Sequence, residues 1–489
     1  MINRRSFLRN IGLAGAALQL PGTLVAREHG NADTIEGRVH SGKQGIADVG
    51  VTDGFSITRT DYNGSYSLQR NDAAEFIYIS VPAGYEIPAE KGIAHFYIPV
   101  TAAQLKGRAD FELRKLAQDD HKHQFVVWAD TQIISEADAT QLKSEPVPDL
   151  VGLIKSYPTG ALFHGIGCGD LVWDHFELFD DYREAIGMTG IPFFNVIGNH
   201  DMDLDAMGDD GSAKTFKEQF GPTYYSFNRG AVHYVVLDDV FFIGASKKYI
   251  GYISETQLNW LKKDLAFREP GSTVVVSLHI PTNTGAARRL KKEEELGGTV
   301  SNRKKLYDIL AGFNVHIMSG HTHFNEKWEA GNIMEHNHGT VCGAWWTGPV
   351  CSDGTPAGYA VYEVNGRELS WYYKSTGKAK TQQLRLYDSK QANSGADICA
   401  NVWNWDPKWT IEWFEDGQRK GLMEQRIGLD PLAVQLYSGP ALPAKHKWVE
   451  PTLADHLFYA RPSGNAKQIM VKATDRFGNV FTETLVVGL

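Results

Sequence analysis

Five short polar motifs stand in order along this chain, and each closes a short apolar run: Asp130-Thr131-Gln132, Gly169-Asp170, Gly198-Asn199-His200-Asp201, a lone His279, and Gly320-His321-Thr322-His323. Runs such as Phe125-Val-Val-Trp, Pro192-Phe-Phe-Asn-Val-Ile and Thr273-Val-Val-Val-Ser-Leu read as buried strands, with helical stretches between them. That alternation predicts a layered α/β fold with helices over the sheets. Sites in such folds lie beyond strand ends, which is where all five motifs fall. Carboxylate, amide and imidazole groups delivered to one sheet edge are what a pair of metal ions needs.

With 489 residues the chain exceeds one ordinary core, so two or three domains are expected. Its net charge of −9 comes with no basic stripe, which argues against a general nucleic-acid grip. No apolar run in the mature part is long enough to span a bilayer. Residues 1–26 read as an export signal: a basic head, Asn3-Arg4-Arg5-Ser6-Phe7-Leu8-Arg9, resembles the twin-arginine type. Ile11 to Leu20 is a small-residue apolar stretch, and Leu24-Val25-Ala26 offers a cleavage point. The expected location is therefore the periplasm or cell envelope.

Residues 35–115 alternate in short β-type segments, with turn signals at Asp53-Gly54 and Asn63-Gly64. The run Thr60-Asp61-Tyr62-Asn63-Gly64-Ser65-Tyr66 resembles small immunoglobulin-like modules of the carboxypeptidase-regulatory type. Residues 120–340 carry the motifs, and Ser254-Glu-Thr-Gln opens a helix there with a capping box. Residues 341–489 are expected to form a C-terminal β-sandwich, with a hairpin around Asn365-Gly366 and further strands at Ala433–Tyr437 and Gln468 onward.

Each motif has a chemical reason. Asp130 supplies an anionic oxygen and Gln132 an amide oxygen. Asp170 follows a glycine that permits close approach, and its two oxygens can serve two cations. Asn199 adds a neutral oxygen; His279, His321 and His323 add imidazole nitrogens. His200 is left to act on a leaving oxygen, with Asp201 expected to orient it.

Together the motifs resemble the signature of the calcineurin-like metallophosphoesterases, over about 200 residues of the central domain. The resemblance implies a four-layer αββα sandwich, flanked here by the N-terminal immunoglobulin-like β-sandwich and a C-terminal β-rich domain. It implies two divalent metal ions, manganese, iron or zinc. One would be held by Asp130, Gln132 and His323, the other by Asn199, His279 and His321, with Asp170 bridging. Gln132 stands where the family more often has histidine, and its amide oxygen is the weaker, harder ligand of the two. The implied reaction is hydrolysis of a phosphate mono- or diester by metal-activated hydroxide, with His200 and Asp201 as catalytic residues. An exported chain with flanking β modules suggests a lipid, polyprenyl or glycan phosphate of the envelope. The alternatives are a nucleotide or cyclic-nucleotide phosphodiesterase that scavenges phosphate, and a non-catalytic envelope-binding protein.

Other features read more plainly. His233 and His316 sit inside apolar strands as core residues, His336 and His338 as loop residues, and His164 as a support for Asp170. Asp174 is a candidate hydrogen-bond acceptor beside the metals. The run Arg288-Arg289-Leu-Lys-Lys-Glu-Glu-Glu reads as a solvated helix face, the other reading being a loop over the site. Of four cysteines, Cys342 and Cys351 are the preferred pair if any bond forms, against buried free thiols. Trp345, Trp346, Trp403, Trp405, Trp409 and Trp413 serve either as core or as a ledge for a sugar or lipid headgroup.

Overall fold

In the strand Lys122–Trp128, Phe125 and Val127 point into one core while Val126 and Trp128 point into another. A strand apolar on both faces must be covered on both. The structure is a computed structural model that describes residues 34–101, 108–244 and 248–486. The expected export signal, residues 1–26, lies outside the described residues. Among the described residues no helix is long and apolar enough to cross a membrane.

Two sheets face each other. The seven-stranded sheet runs Glu368–Ser375, Gly358–Asn365, Lys122–Trp128, Phe163–Cys168, Phe193–Val196, Ile93–Ala94 and Ala89–Glu90. The six-stranded sheet runs Tyr225–Arg229, Val232–Val236, Thr273–Ser277, Asn314–Ser319, Ile333–Asn337 and Glu326–Ala330. The motif-bearing strands are parallel within each sheet, so all their C-terminal ends lie at one edge. Aromatic rings close the space between the sheets: Phe194 stacks on Phe227 at 3.7 Å and Phe227 on Tyr234 at 4.7 Å, centroid to centroid. Each such ring contributes roughly 1.5–3 kcal/mol by leaving water.

Helices cover the outer faces. Leu142, Leu150, Tyr182 and Ile186 pack onto the seven-stranded sheet. Leu258, Leu261, Leu306 and Leu310 pack onto the other. The helix Glu255–Leu265 starts as expected, with the Ser254 side chain accepting from the Gln257 backbone N–H. The result is a four-layer α/β/β/α sandwich with β-rich regions on either side.

The flanks are not separate from this core. The Asn365-Gly366 hairpin forms, but it extends the central sheet by pairing with Lys122–Trp128 instead of joining a C-terminal sandwich. Tyr362 explains why, stacking on Phe125 at 4.5 Å between the sheets. Ile93 from the N-terminal region pairs with Phe193 at the far edge. Beyond residue 384, two four-stranded sheets enclose Ile398, Trp409, Ile411, Phe458, Ile469 and Val471. Trp405 and Trp413 pack against that core and Trp403 is fully buried, so this tryptophan group is structural.

Three expectations need correction. Ala433–Tyr437 is helical, within Pro431–Tyr437, because Asp430 caps the helix and proline sits in its first turn. His336 lies in the strand Ile333–Asn337 and is buried, not in a loop. The charged run is helical only over Ala286–Leu290, and Arg289 is not solvated: it pairs with buried Glu326 and, at 3.3 Å, with Asp455. All four cysteines are free and buried, the free-thiol reading of the sequence, and Cys342 and Cys351 are not joined.

Candidate metal centre

The motif residues turn sharply off their strands. Asp130, Gln132, Asp170, His321 and His323 have φ of +50°, +37°, +51°, +67° and +58°, in the left-handed region that non-glycine residues avoid. Such residues cost about 1–3 kcal/mol each and persist where surrounding structure over-determines them, commonly at ligand sites. The motif glycines are needed for space. A Cβ at Gly320 would lie 2.5 Å from Asp130 Oδ2, one at Gly198 would overlap the Asp170 backbone, and one at Gly169 would overlap the His279 ring.

These turns bring the seven proposed ligand residues together around Asp170. An Asp170 oxygen and a ring nitrogen each from His279 and His321 lie within 4.8 Å of one another. Asp170 Oδ1 is 3.3 Å from His279 Nε2, and Asp170 Oδ2 accepts from Gln132 Nε2 at 2.9 Å. On one side His323 Nε2 lies 3.2 Å from Asp130 Oδ1. On the other His279 Nε2 lies 3.2 Å from Asn199 Oδ1. His279 Nδ1 donates to the Cys168 carbonyl at 3.0 Å, so its Nε2 faces the cluster. The His321 backbone N–H donates to Asp130 at 3.0 Å, joining the first and last motifs.

The donor set fits divalent metals on two further observations. Gln132 Oε1 is buried without a partner, an orphaned acceptor in a polar cluster. Burial would lower the His279 pKa, yet the Asp170 and Asp130 carboxylates pull it up to about 10. Burial would likewise raise Asp170, and His279 and His200 hold it well below the ordinary carboxylate range. The buried carboxylates therefore draw positive charge strongly, and a cation answers that demand.

His200 is half-buried, and its Nδ1 is 2.9 Å from Asp174 Oδ1. Asp174, rather than the expected Asp201, orients this ring. Asp201 is fully buried and accepts backbone N–H groups from Leu171 at 2.9 Å, Val172 at 3.2 Å and Gly198 at 2.9 Å. It holds two loops in register through these bonds, while the hydrogen bond of the His200 ring goes to Asp174. His233 is a satisfied core residue, bonded to Asn228 and Asp264. His316 is buried as expected, against His336. His164 lies among Phe125, Phe227 and Tyr234 between the sheets and does not support Asp170. Asp239 was not anticipated: it accepts the backbone N–H groups of His279 and Ile280, fixing the fourth motif. Its place in an adjacent acidic pair, Asp238-Asp239, at a strand end was the available signal.

Comparison with known proteins finds three matching stretches of the chain. The description "N terminal of Calcineurin-like phosphoesterase" matches residues 33–116, "Calcineurin-like phosphoesterase" residues 166–325, and "C terminal of Calcineurin-like phosphoesterase" residues 335–481. Purple acid phosphatase 15 of Arabidopsis thaliana is 29% identical over 167 residues, which is 32% of this chain and 28% of that protein. The chain thus spans under a third of that relative's length. Among solved structures, a dimetal phosphatase from Danio rerio is similar at a TM-score of 0.39 and 14% identity, over 52% of this chain and 97% of that one. Purple acid phosphatase PPD1 from yellow lupin (Lupinus luteus) seeds is similar at 0.37 and 13%, over 65% of this chain and 56% of that one.

Proposed function

This chain belongs to the calcineurin-like phosphoesterase family, and on that premise we propose that it is an exported, metal-dependent phosphoester hydrolase using two metal ions on a phosphate ester of the cell envelope. The observation that carries the reading is the convergence of all five motifs on Asp170, with Gln132 Oε1 left as an unpartnered acceptor. Asp130, Gln132 and His323 would hold one metal, and Asn199, His279 and His321 the other, with Asp170 between them. When bound, the metals would supply Lewis acidity at the phosphoryl group.

The chain's own residues do the rest. Asp170 and Asp130 fix the charge of the centre. Asp239 and the Cys168 carbonyl hold His279 in place. Asp174 anchors His200 through Nδ1, which leaves Nε2 as the end that can pass a proton to a leaving oxygen. Export is supported by Arg4-Arg5 ahead of a small-residue apolar stretch. The envelope substrate is supported by the β-rich regions on both sides of the centre.

The test is turnover of p-nitrophenyl and bis-p-nitrophenyl phosphate by metal-stripped protein with manganese, iron or zinc restored, beside His200→Ala. The expected result is metal-dependent release of nitrophenol that falls about 10²–10⁴-fold in the variant. No release with either ester and any metal would overturn the reading in favour of a binding protein.

A further inference from the structure

Three chain segments far apart in sequence meet beside the metal centre as an aromatic corner. Trp173 lies 5.4 Å from His200, and Trp345 stacks on His323 at 4.3 Å, centroid to centroid. Trp448 stands across both, 5.9 Å from Trp173 at 87° and 4.7 Å from Trp345 at 63°. His446 lies against Trp173 at 5.4 Å.

The corner is held in place. Trp345 and His446 take φ of +48° and +53°, a conformation in which bulky residues are rare and strained. The loop that carries Trp448 is tied at Lys445, whose Nζ pairs with Asp138 and whose carbonyl accepts from the Thr347 hydroxyl. Even so, Trp448 stays 53% exposed, a large apolar surface fixed beside a polar centre. His446 Nε2 is buried without a partner.

We propose that this corner is the subsite for the leaving group, and that it selects phosphoesters whose leaving group presents a ring face, from a sugar or a nucleobase. The proposal rests on the phosphoesterase reading in one respect: His200 is placed at the leaving oxygen, and Trp173 is its ring neighbour, so a leaving group departing past His200 runs onto the corner. An aromatic face carries negative potential, which draws the C–H groups of a sugar ring, and it offers a flat apolar surface on which a base stacks. Trp448 meets the other two rings at steep angles and stays half-exposed, so its surface is open to a ligand. A straight-chain headgroup such as glycerol has no matching face.

The experiment separates this subsite from catalysis by reading binding in metal-stripped protein. Titration calorimetry compares a hexose phosphate, a nucleoside monophosphate and glycerol phosphate on wild type, Trp448→Ala and Trp448→Phe. At least one ring-bearing phosphate is expected to bind wild type about tenfold tighter than glycerol phosphate. That gap should vanish in Trp448→Ala and return in Trp448→Phe, with unchanged melting temperatures. Whichever ring shows the gap identifies the source. No gap in wild type, or an undiminished gap in Trp448→Ala, overturns the proposal. Failure of the hydrolase reading would show instead as absent metal-dependent turnover, whatever the calorimetry gives.

Discussion

Asp174 and Asp201 both lie near the His200 loop, but their oxygens go to different groups. Asp174 reaches the ring, while Asp201 collects backbone N–H groups. Asp174→Ala should therefore cut kcat about 10–100-fold while leaving metal content and melting temperature near wild type. Asp201→Ala should instead strand buried donors at about 1–3 kcal/mol each and lower the melting temperature of even the metal-stripped protein. Stopped assays and thermal unfolding on the two variants check this; equal effects on both readouts would contradict it. The ligand residues were legible in sequence because each motif sits where an apolar run stops, and Asp170, Asn199 and His321 each follow a glycine whose lack of Cβ leaves space for the neighbouring motif. The orienting acid was not. Adjacency favoured Asp201, and only the curl of the loop sends its side chain back toward Gly198 and Leu171.

At the level of elements, short cues decided outcomes that periodicity left open. Val434, Leu436 and Tyr437 look strand-like, but Asp430-Pro431 starts a helix through a cap and a preset φ. Asp430 also accepts from Tyr387 OH at 2.7 Å and Asn401 Nδ2 at 2.8 Å, fastening the helix to the C-terminal sheet. Asp430→Ala is expected to destabilise by about 2–4 kcal/mol, adding a lost cap to two unpaired buried donors. Denaturant unfolding measures this, and a midpoint within error of wild type would rule out the assigned role. The hairpin at Asn365-Gly366 was readable as a hairpin from its turn residues. Its partner was not readable, because pairing with Lys122–Trp128 spans more than two hundred residues and is set by Tyr362 filling space beside Phe125.

Across the whole molecule, the centre depends on a core unusually rich in buried histidine. Burial pushes His123 and His316 down to about 4 and His338 down to about 3, and holds His164 and His336 well below the ordinary value. Unfolded, each takes up a proton near pH 6.5; folded, each stays neutral to lower pH. At these rings the unfolded state then binds more protons between those values, so their contribution to stability falls as pH drops from about 6.5 toward 4, while the buried acids Asp201, Asp238, Asp239 and Glu335, raised by burial to about 7–8, act in the opposite sense. In metal-stripped protein the ring resonances of these histidines should show no protonation shift between about pH 6.5 and 5, and titration of any of them near 6.5 would contradict the burial of these rings. The same scale explains what sequence could not reveal: the aromatic corner joins residues 173, 345 and 448, which no local pattern connects. The layered fold was legible because strands and helices announce themselves locally, whereas the way the flanks close over the centre is a property of the assembled chain. The most direct test of the central claim is elemental analysis of metal-reconstituted, desalted protein. Two metal ions per chain, falling to one or none in Asp170→Ala, is the predicted result; a wild-type chain that retains one ion or none would contradict a centre built around Asp170.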